Sequence, residues 1–385
     1  MILGRVALAV LAISQLSLET TSALAAGTWT PVQHLPGVVD VAGPRTDGRV
    51  VVSAGRQLYL LNRLSGELQP FATGAGGYPA LPGDEPYLAI SSGRSVHAAG
   101  CRFSPDDLFV IDQSPHQVWR VDASGHASVY AKVDGVDSLS GITFDNAGSF
   151  GNRLLVIGPS HGHSVVVAID CQAQMVHLTD AAPTMEGGIV VAPATFGAFA
   201  GNLIAPDELS GLIRAVRPDG STAVVADSGV PHGPDLGIEG FGFVPAGFSR
   251  GGSAYFADRS TPGNAHPGTG TLLAIDSATL SNAGVKDGDL VGATEGGART
   301  IAVRCGATCR VSEVAQGPAV AHGEGHVLLV ADHLQPSGTT LPPASHLGAA
   351  ARNQSLLIWV GLGVLPLAGL LVLGIVLRRS RRRAA

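Results

Sequence analysis

The stretch AHGEGHVLLVAD, residues 321–332, sets His322, Glu324 and His326 at alternate positions. On a strand, residues two apart point to one face. Two imidazoles and a carboxylate on one side would make a donor set for zinc or a similar ion. Gly323 and Gly325 weaken the strand, and H-x-E-x-H lacks the helical spacing of a known hydrolase signature. The stretch therefore reads first as a strand entered from a glycine-rich loop, with a metal site as its chemical alternative. Acidic residues also open other apolar strands: Asp137 in VDSLSG, Glu186 in MEGG and Glu239 in IEGF. Gathered in one place, such carboxylates bind a cation or raise one another's pKa. Left apart, each would satisfy backbone N–H groups of its own turn. PHGPDLGIEGF (231–241) places His232 and Asp235 just before Glu239, and DRSTPGNAHPGTG (258–270) is a long polar loop. The candidate catalytic residues are Glu186, Glu239 and His232. The candidate metal ligands are Asp137, Glu186, Glu239, His322, Glu324 and His326, with calcium or zinc as the cation. No Gly-x-Ser-x-Gly elbow, phosphate loop or dinucleotide fingerprint is present.

What must position these residues is a repeat. LFVIDQSPHQVWRVDASGHASVYAKV (108–133), LLVIGPSHGHSVVVAIDCQAQMVHLTD (154–180) and LIAPDELSGLIRAVRPDGSTAVVAD (203–227) share one form. An aliphatic strand, a polar loop, a second strand ending at Asp, a turn and a third strand follow in order. Residues 50–73 repeat the form with Asn62 at the Asp position. Asn62-Arg-Leu-Ser-Gly, Asp122-Ala-Ser-Gly and Pro218-Asp219-Gly220 are apt hairpin turns, because Asp, Asn and Gly accept the backbone angles required. EPYLAISS (85–92), SGITFD (140–145), EGGIVVAP (186–193) and EGFGFVPAGF (239–248) each supply a strand before a triplet. Strand ends at Asp112, Gly158, Asp207 and Asp258 recur at 46, 49 and 51 residues, with Glu295 and Asp332 as further candidates. Four-stranded units of this length predict an all-β propeller of six blades, seven being the alternative. A pair of β-sandwiches explains the strands but not the recurring Asp turn. TWTPVQHL (28–35) reads as an outermost strand that closes the ring on the last blade.

The recurring pattern over most of residues 35–333 resembles the six-bladed propellers of the NHL, streptogramin-lyase and gluconolactonase-like group. The gluconolactonase-like members hold a divalent metal through an early Glu, an Asn-Gly and an Asp. This chain has no counterpart of the Asn-Gly segment, and the lyase-type His and Glu arrangement does not map onto it residue by residue. The resemblance thus implies the fold and leaves the activity open.

The ends give an address. Residues 1–25 carry Arg5, an apolar run and Ala23-Leu24-Ala25, the form of a cleaved secretory signal peptide, with an uncleaved anchor as the other reading. Leu356 to Leu377 contain no charge, and as a helix would be about 33 Å long, enough to cross a bilayer. Five arginines in 378–385 place that end in the cytoplasm. The expected organisation is a propeller ectodomain over 27–334, a flexible stalk over 335–355, a transmembrane helix over 356–377 and a basic tail. Setting aside Arg5, Glu19 and the five tail arginines, the totals of 24 basic and 30 acidic residues leave 18 and 29, a net of −11. Nucleic acid is excluded as a partner on that balance. Four cysteines suit an oxidising compartment, with Cys305–Cys309 and Cys101–Cys171 the favoured pairs of three pairings. Together these features predict a membrane-anchored extracellular module that binds a ligand or protein at the cell surface. The alternative is a metal-dependent hydrolase or lyase of a small extracellular substrate at the channel mouth.

Overall fold

The computed structural model describes residues 27–81 and 85–332. The expected signal peptide, stalk, membrane helix and basic tail lie outside the described residues. Among the described residues no helix is long and apolar enough to cross a membrane.

The body is a six-bladed propeller, each blade a four-stranded antiparallel core. From the axis outward, blade 1 is Val38–Ala42, Val50–Ala54, Gln57–Leu61 and Leu68–Phe71. Blade 2 is Leu88–Ile90, Leu108–Asp112, Gln117–Val121 and Ala127–Lys132. Blade 3 is Gly141–Phe144, Leu154–Ser160, His163–Ile169 and Met175–Ala182. Blade 4 is Val190–Val191, Leu203–Asp207, Leu212–Val216 and Thr222–Asp227. The second strands are continuous apolar runs because neighbouring blades cover both of their faces; Val50–Ala54 and Leu108–Asp112 are buried at every position. The outermost strands face solvent on one side and are correspondingly polar, as in Met175–Ala182. The hairpin turns use the predicted chemistry: the Asp122 carboxylate accepts from the backbone N–H of Ser124 and His126, at 2.9 and 3.0 Å.

Blades 5 and 6 depart from the sequential order. The strand Ile238–Phe243 was expected to pair with the strand that follows it, Gly252–Asp258. Instead it is the inner strand of blade 5 and pairs with Leu290–Thr294. The chain crosses to blade 6 for Gly252–Asp258 and Thr271–Asp276, turns through the helix Ser277–Asn282, and returns for three strands of blade 5. Those three are Leu290–Thr294, Thr300–Cys305 and Cys309–Gln316. It then supplies the inner strand of blade 6, Gly323–Ala331. Asp332 therefore follows an inner strand and is not equivalent to Asp112 or Asp207; Asp258 holds that position in blade 6. The helix is capped by Asp276, whose carboxylate accepts from the Thr279 N–H at 2.6 Å.

The N-terminal segment closes the ring as expected, and does so twice. Thr30–His34 is the outermost strand of blade 6, and Gly27–Thr28 adds in parallel to blade 5. Between them Trp29 is buried, its indole N–H donating to Thr300 Oγ1 at 2.6 Å. Two disulfides bind neighbouring parts: Cys101–Cys171 joins blades 2 and 3, and Cys305–Cys309 closes the hairpin between the third and fourth strands of blade 5.

At the axis the inner strands of blades 4, 5 and 6 approach through glycine. A Cβ on Gly188 would lie 2.5 Å from the Gly325 carbonyl oxygen, and one on Gly240 only 1.9 Å from it. The space left is filled by Asp40 of blade 1 and His326 of blade 6. Asp40 accepts from the backbone N–H groups of Val41, Leu88 and His326 at 2.7–2.8 Å. The His326 imidazole meets Asp40 through Nδ1 at 3.0 Å and the Ile189 carbonyl through Nε2 at 3.2 Å. One side-chain pair thus ties together the inner strands of blades 1, 2 and 6 and the chain entering that of blade 4.

Candidate functional site: an acidic mouth

All six inner strands begin at the same end of the axis, so the residues just before them converge there. The loops after the second strands reach the same end. The mouth receives Glu85 and Tyr87 ahead of the inner strand of blade 2, and Glu186 ahead of that of blade 4. Asp235 and Glu239 come from the start of blade 5, and His322 and Glu324 from blade 6. Loops after second strands add Glu208, Arg259 and Glu295.

Tyr87, Glu239, Glu324 and His322 are almost fully buried, and Glu208 and Glu295 nearly so. Glu186 and Glu85 are half-buried, and Asp235 is exposed. The His322 backbone N–H donates to Asp258 at 2.8 Å, and the Arg259 N–H donates back to the His322 carbonyl at 2.7 Å. These bonds fix the backbone of both residues. Arg259 Nη1 donates to Glu85 and Glu324, each at 2.9 Å. His322 Nε2 lies 2.9 Å from Glu295 and 3.5 Å from Glu324. The Tyr87 hydroxyl bridges Glu324 at 2.8 Å and Glu239 at 3.0 Å.

Carboxyls in this number, out of water, cannot all ionise. Burial, then repulsion from Glu324, Glu295, Glu186 and Glu85, drives Glu239 far above the ordinary range. Glu239 is thereby biased towards its neutral form, beside the Tyr87 hydroxyl. A hydroxyl has one proton to give, and Glu324, whose carboxyl is held low, is the better acceptor of the two. Burial, with Glu208 alongside, pushes Glu186 up to about 8. Burial also lifts Glu85 to about 7, with Glu324 adding to the rise. In Glu295 burial and the repulsion of Glu324 and Glu208 outweigh the pull of His322, and its pKa reaches about 8. Glu324 is the exception: burial would raise it, but His322, Arg259 and Tyr87 hold it low. On His322, Glu295 and Glu324 overcome burial and raise the imidazole to about 10. The charged set at neutral pH thus centres on Glu324 between Arg259 and His322, with protons on its crowded neighbours.

Asp235, Glu295 and His322 can each point one ligand atom so that all three lie within 4.8 Å of one another. Two oxygens and one nitrogen at that spacing fit a divalent ion of the zinc or manganese type better than calcium, which prefers oxygen throughout. His322 Nδ1 is buried without a hydrogen-bond partner.

The residues singled out from sequence divide between three places. His322, Glu324, Glu186 and Glu239 come together at the mouth. His326 does not share their side: Gly325 adopts φ +67° and the pairing with blade 6's second strand slips between Tyr255 and Ala257, which turns His326 to the axis. That slip corrects the expectation of one common face for His322, Glu324 and His326. Asp137 is exposed and accepts from the His161 backbone N–H at 3.1 Å, serving its own blade's hairpin. His232 is exposed and packs against Gly211. Glu85, Tyr87 and Glu208 were not singled out. Glu85 follows the rule that flags Glu186 and Glu239, an acid opening an inner strand. Arg259 was named in the polar loop 258–270; Glu208 stands, like Arg259, directly after a recurring strand end, Asp207 and Asp258, and aligning those positions would have found it.

No protein-family model and no curated protein sequence matches the chain. Solved structures match in fold. A virginiamycin B lyase from Staphylococcus aureus is 11% identical, with a TM-score of 0.42 over 72% of this chain and 70% of that one. A streptogramin B lyase is 12% identical, with a TM-score of 0.44 over 79% and 92%. A putative gluconolactonase is 11% identical, with a TM-score of 0.41 over 78% and 94%. The site is read from this chain's own residues.

Proposed function

We propose that the acidic mouth is the divalent-metal centre of an exported hydrolase or lyase acting on a small extracellular substrate, tethered to the membrane through residues 356–377. The observation that carries the reading is the convergence of Asp235, Glu295 and His322 within 4.8 Å, inside a group of carboxyls that otherwise has to be held by protons. Bound there, the ion would supply Lewis-acid polarisation of a carbonyl or activation of a water. The chain's own residues do the rest. Asp258 and the Arg259 N–H hold the His322 backbone in place. Glu324 orients the His322 imidazole and the Arg259 guanidinium together. Glu186, which holds a proton near neutral pH and is half open to solvent, is the group suited to exchange a proton with a substrate. The two disulfides agree with export to an oxidising compartment.

The test is metal content. Full-length protein purified without added metal and then equilibrated with zinc or manganese should hold about one ion per chain. A His322→Ala variant should hold none. Absence of stoichiometric metal, together with a melting temperature indifferent to chelator and to added ions, would overturn the reading in favour of a metal-free binding module.

A further inference from the structure

The guanidinium of Arg259 is only half used. Both of its carboxylate partners, Glu85 and Glu324, are bound through the same nitrogen, Nη1. No acceptor among the described residues engages Nε or Nη2, and neither atom is among those buried without a partner, so both meet solvent. The position of this open edge is fixed. The Arg259 N–H bonds the His322 carbonyl at 2.7 Å, and the side chain is four-fifths buried. Glu324 Oε1 lies 2.9 Å from Arg259 Nη1 and 3.5 Å from His322 Nε2. Those two spans place the nitrogens no more than 6.4 Å apart. An arginine edge carrying two parallel N–H groups is the side-chain shape that matches a carboxylate through two bonds.

We propose that the mouth is selective for small carboxylic acids, the carboxylate docking on the Nε–Nη2 edge of Arg259 while a neighbouring oxygen of the same molecule reaches the Asp235–Glu295–His322 donors. This names the substrate class of the metal reading above and rests on it. A 2-hydroxy or 2-oxo acid presents both groups on adjacent carbons. Its amide keeps the shape and the oxygen but loses the charge, so the edge discriminates the two.

The experiment uses full-length protein loaded with manganese, titrated calorimetrically with lactate, glycolate and pyruvate and with lactamide, glycolamide and pyruvamide. Metal content is measured on the same samples. At least one acid should bind about 10-fold or more tighter than its amide, the size of one good charge-assisted hydrogen bond. Arg259→Lys keeps a positive charge for Glu324 but lacks the second edge. It should erase that preference while retaining manganese. Arg259→Gln should do the same, and its retained manganese shows that the mouth is still folded. Acids and amides binding alike, no acid binding at all, or an unchanged preference in Arg259→Lys would overturn the proposal. Manganese bound with no acid preference sinks the substrate class alone. Acid preference surviving in chelator, with no metal bound, sinks the metal centre alone.

Discussion

Two histidines four residues apart, His322 and His326, each sit against carboxylates and end with opposite roles. His326 is closed off. Both ring nitrogens face acceptors, and Asp40 opposite it accepts from three backbone N–H groups besides. Burial works against the imidazolium, but Asp40 and the Ile189 and Ile142 carbonyls outweigh it and raise its pKa. Each ring nitrogen has its acceptor and the Asp40 carboxyl accepts from three backbone N–H groups, so the pair fastens the axis. His322 is over-supplied with carboxyls on one nitrogen and bare on the other. Around it the acids exceed the bases, and protons hold the difference. A buried ion pair with every lone pair met is a joint, whereas a buried surplus of carboxyls is a place for a cation.

The sharpest way to break this comparison is to remove Asp40. Asp40→Ala removes the carboxyl that faces His326 Nδ1 and accepts from three backbone N–H groups, and should cost about 3–5 kcal/mol in urea unfolding, the usual loss when one partner of a buried pair is deleted. Gly325→Ala should also destabilise strongly, because a Cβ there would lie 2.4 Å from Asp40 Oδ1 at φ +67°. A loss below about 1 kcal/mol from Asp40→Ala would show that the axis is held by packing and not by the pair.

The corresponding change at the mouth should act on metal and spare the fold. His322→Ala and Glu295→Gln are each expected to weaken zinc or manganese binding by about 100-fold or more, since each removes one of three protein donors. In metal-free protein near neutral pH Glu295→Gln should leave the melting temperature unchanged, because a neutral amide stands in for a carboxyl that already holds its proton. If Glu295→Gln instead unfolds the metal-free protein, the mouth is structural in the same sense as the axis.

A third difference follows from protonation. Glu239, Glu186 and Glu295 have folded-state pKa values above their unfolded ones. A raised acid contributes stability that is present in full below its unfolded value, near 4.5, and is lost as pH climbs towards the folded value, about 8 for Glu186 and Glu295. Metal-free protein should therefore melt higher at pH 5 than at pH 8.5. Saturating manganese should narrow the gap, because the ion takes over the role of the protons. Thermal scans at the two pH values, with and without chelator, check both statements. A gap of unchanged size in Glu239→Gln would assign the effect to other groups.

The contrast between mouth and axis was only partly legible in the sequence. The blade count, the polar outer strands, the Asp turns and the closing role of residues 28–35 follow from local patterns: apolar runs, turn residues and spacing. The interleaving of blades 5 and 6 does not, because pairing partners far apart in the chain leave no local mark. Ile238–Phe243 pairs equally well in pattern with Gly252–Asp258 or with Leu290–Thr294. The acids that open inner strands could be read off, and so Glu186 and Glu239 were found. Separating His326 from His322 and Glu324 required the backbone turn at Gly325, and alternation alone predicts one face for all three. Asp40 carried no signal, since VVDVA reads as an apolar strand with one polar residue.

The finest test concerns the residue that touches both regions. Tyr87 sends its hydroxyl into the mouth, and the next backbone N–H, that of Leu88, donates to Asp40 at 2.7 Å. Tyr87→Phe removes the hydroxyl and leaves the backbone contact untouched. The aromatic ring stays buried, so the cost is confined to hydrogen bonds at Glu324 and Glu239, about 1 kcal/mol. Glu324 loses one of the three partners that hold its pKa low, while Arg259 and His322 remain. Slow exchange of the Leu88 amide proton should therefore persist, with manganese affinity changed by less than about 10-fold, because neither Tyr87 nor Glu324 is among the three donors. If Tyr87→Phe frees the Leu88 amide, the mouth and the axis form one cooperative unit. In that case a cation arriving among the carboxyls would also tighten the joint between the blades.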